Sequence, residues 1–193
     1  MKKKNRLSAL TIVAILVAGC TGTQIKISPE SSALEQSFNS SYGLVGVRDV
    51  PAEKTLAVTG NLTEAFSNEI RSSGLAKEVY YPLRPNDKTD ITLNSQFNAD
   101  VDRHSGSHFA TAFFTGFTFF IFEPFIWYDF DYTLAGNVDV IKDGQVIKRV
   151  NAKTDATVSV KWLSLSDLAK LQDEVLIKAK KSLFQQLIQD IGR

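Results

Sequence analysis

The chain of 193 residues is poor in the side chains from which many active sites are built: it has one cysteine, Cys20, and two histidines, His104 and His108. A single thiol excludes an intramolecular disulfide and any site with several thiolate ligands. Two histidines confine imidazole-based catalysis to one short stretch. No pair of histidines at helical spacing that would hold zinc, no glycine-rich loop that would cradle phosphate and no nucleophile elbow occurs in the sequence. Basic residues nowhere gather into a stripe of the kind that tracks a nucleic-acid backbone, so nucleic acid is not expected as a partner.

What is present begins at the N-terminus. Lys2, Lys3, Lys4 and Arg6 precede an apolar core from Leu7 to Val17, broken only by Ser8 and Thr11, and small residues follow before the cysteine. The core is too short for a comfortable permanent span. Its charged, hydrophobic and small-residue regions match a secretory signal. Leu16-Val17-Ala18-Gly19-Cys20 resembles the lipobox of bacterial lipoproteins. That resemblance implies removal of residues 1–19, diacylglycerol and an N-acyl chain on Cys20, and no other cofactor. Several acyl chains anchor a protein stably where one does not, because each buried methylene contributes about 0.8 kcal/mol. In the lipoproteins it resembles, the residue after the cysteine influences sorting, and Thr21 lacks the aspartate associated with inner-membrane retention, so the resemblance implies an outer-membrane lipoprotein facing the periplasm.

Cleavage would leave 174 residues, a size suited to one domain with one core. It also removes four of the 22 basic residues and none of the 21 acidic ones, leaving 18 against 21. The mature chain is therefore slightly acidic. Residues 20–42 are serine-rich and read as an acylated tether that holds residues 43–193 clear of the lipid. Within it, Leu34 and Phe38 can share one helical turn.

In the domain, Leu44–Val47 reads as a first strand, with Leu56-Ala57-Val58 extending or pairing with it. A helix follows, with Asn61 and Glu64 as a capping box, Leu62, Ala65, Phe66 and Ile70 on one face, and Gly74 at its end. Val79, Tyr81 and Leu83 alternate as an edge strand near Pro82. Residues 91–102, 130–140 and 146–162 show three long alternations, the last two joined at Asp143-Gly144 as a tight hairpin. Ser164 and Asp167 are placed to cap a closing helix with Leu168, Leu171, Val175, Ala179, Leu183, Leu187 and Ile191 inward. Lys170, Glu174 and Lys178 line its wet side. The expected fold is α+β: an antiparallel sheet with two helices on one face, in the order strand, helix, strand, strand, insertion, strand, strand, helix.

This layout, with the Thr89-Asp90-Ile91 strand entry and the Asp131-Tyr132-Thr133-Leu134 strand, resembles small envelope lipoproteins of Gram-negative bacteria, similar in architecture to curli-secretion and exopolysaccharide-secretion lipoproteins. The resemblance carries no functional residue beyond Cys20. It implies a non-enzymatic role in envelope assembly, export or maintenance. Partners would be the membrane, through the anchor, and an envelope protein or further copies of the chain.

Two stretches are candidates for function. The insertion at 109–127 is aromatic, with Phe113, Phe114, Phe117, Phe119, Phe120, Phe122, Phe125 and Trp127. A membrane crossing there would separate two strands whose patterns place them in one sheet. Two readings remain: the insertion caps the domain's own core, or its rings meet lipid or a partner protein. The second stretch, Asp100, Asp102, His104 and His108, holds metal-ligand types. Alternation puts Asp100, Asp102 and His104 on one face, which would suit a periplasmic metal-binding protein or hydrolase. A solvated strand end running into Ser105-Gly106-Ser107 accounts for the same residues.

Overall fold

The structure, a computed structural model, describes residues 22–30, 42–103 and 127–193. Six strands form one sheet: β1 (Thr23–Ser28), β2 (Tyr42–Asp49), β3 (Ala76–Tyr80), β4 (Ile91–Arg103), β5 (Trp127–Lys142) and β6 (Gln145–Lys161). Two helices accompany it, α1 (Leu62–Ser73) and α2 (Leu168–Gly192). The spatial order is β1-β6-β5-β4-β2-β3. The α+β class is as expected; the wholly antiparallel sheet is corrected to a mixed one. β2 runs parallel to β3, with Val45 beside Val79, and parallel to β4, with Val47 beside Leu93. The reason lies in connectivity: α1 supplies the crossover that a parallel β2–β3 pair requires.

Local sequence sets the ends of several elements. Asn61 Oδ1 accepts the Glu64 N–H at 3.0 Å, and Gly74, at φ 76°, closes α1 in the left-handed region. Asp143 and Gly144, at φ 51° and 78°, make the two-residue turn between β5 and β6. Three expectations shift. Residues 57–59 form a short 3-10 turn rather than strand, with Val58 exposed. Val146, the first apolar position of the third expected alternation, is 45% exposed because the first residues of β6 run beyond the buried stretch. Ser164 lies in a 3-10 segment over Trp162–Asp167, and its hydroxyl accepts the Gly22 N–H at 3.2 Å.

Residues 23–28 are the edge strand β1, on which Ile25 and Ile27 are half-buried and their neighbours exposed. Of the expected tether 20–42, residues 20, 21 and 31–41 lie outside the described residues, and Tyr42 opens β2.

Chain contacts divide the protein into two units. The larger comprises Ile27–Val101, Tyr132–Ala156 and Leu176–Arg193. Its core brings α1, β4 and α2 together through Phe66, Phe97 and Phe184, whose ring centroids are 5.3 to 5.6 Å apart. Both helices therefore pack on the face of β4 that carries Ile91, Leu93 and Phe97. Gly136 admits this packing, since a Cβ there would lie 2.8 Å from Phe97 Cε1 and 2.9 Å from Leu187 Cδ1. On the other face Thr133 donates to Asp155 at 2.8 Å, and Arg149 pairs with Asp139 at 3.4 Å. The smaller unit comprises Met1–Lys26, Asp102–Asp131 and Thr157–Val175. Among the described residues, no helix is long and apolar enough to cross a membrane.

Candidate functional site

The acidic stretch at the end of β4 is the first candidate. Asp100 is exposed on the polar face of the strand and is engaged by Lys54, which lies on the segment after β2. The Lys54 hydrogen bond holds the Asp100 carboxyl below the usual carboxylate range, and the same bond raises the Lys54 ammonium. A carboxylate already occupied by an ammonium is a weakened metal ligand, since the cation it would bind must first displace a charge. Asp102 is exposed one step further along the same face. His104 and His108 lie outside the described residues. Among the described residues no three metal-ligating side chains converge. The pairing of Lys54 with Asp100 was invisible in the sequence, where 46 residues separate them and no motif joins them.

A groove of about 180 Å³ opens beside the first turn of α1, lined by Asp49, Thr59, Asn61, Thr63 and Phe97 among others. Helix N-termini favour anions. Here that role is filled from within the chain, because Asp49 Oδ1 accepts the Thr63 hydroxyl at 2.8 Å and places its own negative charge beside the turn.

The aromatic candidates Phe113, Phe114, Phe117, Phe119, Phe120, Phe122 and Phe125 lie outside the described residues, as does Cys20. Trp127 is described and opens β5, half-buried. Its surroundings, all in the smaller unit, are specific. Lys161 Nζ sits 5.2 Å from the centre of the Trp127 ring, a cation–π arrangement. Gly22 packs beside both: a Cβ on it would come within 3.1 Å of Trp127 Cη2 and 3.5 Å of Lys161 Cδ. Gly22 is held through both its N–H and its C=O, donating to Ser164 Oγ at 3.2 Å and accepting the Lys161 N–H at 3.0 Å. The structure thus joins the start of the described chain to Trp127, the last residue of the aromatic insertion. Sequence reasoning named Trp127 but not Gly22 or Lys161, since their proximity arises from β1 lying beside β6.

No family model matches the chain, and no curated protein is similar to it in sequence. Among solved structures it is similar to a PelC dodecamer from Paraburkholderia phytofirmans, crystallised as a point variant, at 12% identity over 86% of this chain and 99% of that one, with a TM-score of 0.35. A second PelC dodecamer crystal from the same organism gives 13% identity, 84% and 98% coverage, and 0.31. A Xanthomonas campestris protein of family DUF330 gives 12% identity, 79% and 80% coverage, and 0.30. At TM-scores this low the likenesses carry no inference about ligand, partner or assembly.

Proposed function

We propose that this chain is a non-enzymatic lipoprotein of the outer membrane, facing the periplasm, which uses its aromatic insertion to hold an envelope partner. The observation that carries the reading is Leu16-Val17-Ala18-Gly19-Cys20 behind its charged and apolar segments. A domain anchored by lipid searches for partners in a thin layer, so weak apolar contacts become effective there. The metal or hydrolase alternative would have to use Asp100 in competition with Lys54, which pairs with it.

The experiment is to shorten the insertion. β5 begins at Trp127, so residues 109–126 can be exchanged for a Gly-Ser turn without entering the strand. Closure entropy changes slowly with loop length, and the shortened chain should melt cooperatively. It should lose the proteins that co-purify with the tagged, acylated wild type from membranes. A shortened chain that aggregates or becomes a loose globule would mean that the insertion caps the core. One that folds and keeps every partner would contradict the proposal.

A further inference from the structure

The smaller unit limits how far a lipid on Cys20 could lie from the described chain. Cys20 precedes Gly22 by two residues, and two residues span at most about 7 Å. Gly22 is held by Ser164 and Lys161 and lies against the Trp127 ring. A lipid on Cys20 therefore cannot leave this end of the unit by more than that short reach.

We propose that the end formed by Gly22, Trp127 and Lys161 rests in the headgroup layer of the phospholipid leaflet that holds the Cys20 acyl chains, so that the domain sits on the lipid and not on a stalk. The proposal rests on the lipoprotein reading above and names a lipid surface as the occupant of this end. The side chains suit that layer. Tryptophan is enriched at membrane interfaces, where one part of the indole meets hydrocarbon and the other meets water. A lysine lays its stem along apolar surface and keeps its ammonium at the phosphate level. The Lys161 stem runs beside Gly22, with its Cδ and Cε at 3.5 and 3.6 Å from a Cβ built there, and its ammonium stands over the indole. Asp129 and Asp131 follow on the same face of β5 and oppose attraction to net-negative lipid. The expected surface is zwitterionic.

The test uses the full chain, acylated in cells and reconstituted in vesicles of phosphatidylethanolamine and phosphatidylcholine that carry a quencher at the headgroup end of the acyl chains. The protein has two tryptophans, so Trp162→Phe leaves Trp127 as the reporter. Its emission should fall about twofold in the quencher vesicles and be blue-shifted, as for an indole at the interface. Should that variant not fold, subtracting the signal of Trp127→Phe from that of wild type gives the same reading. The mass of the N-terminal peptide separates the two ideas. An unacylated Cys20 overturns the lipoprotein reading and this inference with it. An acylated Cys20 with Trp127 unquenched overturns the inference alone.

Discussion

At the scale of single residues, pairings made by the fold decide behaviour that the sequence cannot show. The Lys54 hydrogen bond lowers the Asp100 carboxyl, so the pair contributes above the unfolded carboxylate value of about 3.9 and loses its contribution as pH falls through the folded value. Lys54→Ala should move the Asp100 titration upward toward that unfolded value, read by carboxyl-carbon NMR. An unmoved titration would mean that the ion pair does not form in solution. Asp155 is a subtler case. Burial works to raise its carboxyl, but hydrogen bonds from Lys153 and Thr133 outweigh this and bring it below the usual range. Gly136 shows packing at the same scale. With Phe97 and Leu187 already in the space a Cβ would take, Gly136→Ala should cost about 1–3 kcal/mol, measured as an earlier urea midpoint. An unchanged midpoint would show that the aromatic core around Phe97 gives way freely.

At the scale of elements, the closing helix is the sharpest test of packing. Leu183 is fully buried on α2 and Lys178 is exposed. Leu183→Asp should remove several kcal/mol, against a total stability of roughly 5–15 for a domain. Lys178→Asp should cost under about 1 kcal/mol. Thermal unfolding that falls equally in both would contradict the assigned face. This face was legible because its spacing repeats over most of the 25 residues of α2. The sequence nevertheless understated how much of the helix is covered, since Leu176, Phe184 and Ile188 are buried beside the stripe first assigned. The α1 ends and the Asp143-Gly144 hairpin were legible because each is written in adjacent residues. β1 was not, having only Ile25 and Ile27 as a pattern within a polar stretch. The parallel neighbours of β2 were hidden too, because pairing between distant segments leaves no local mark. At the candidate sites, the sequence identified Asp100 and Trp127 by residue type, while their partners Lys54 and Lys161 come from other parts of the chain.

At the scale of the whole molecule, the placement of Thr23–Ser28 in the sheet changes what an N-terminal lipid would do. Twenty extended residues would have held the domain on the order of 65 Å from the membrane. With Gly22 held by Ser164 and Lys161 and lying against Trp127, a lipid on Cys20 would lie within about 7 Å of that end of the smaller unit. Both proposals therefore depend on the chemistry of one sulfur. The most direct measurement is metabolic labelling with palmitate of cells expressing the wild-type chain or Cys20→Ser. Wild type should incorporate label and migrate as a shortened mature form. Cys20→Ser should take up no label and persist as the uncleaved precursor in the inner membrane. Label and normal maturation in Cys20→Ser would contradict the account at its centre.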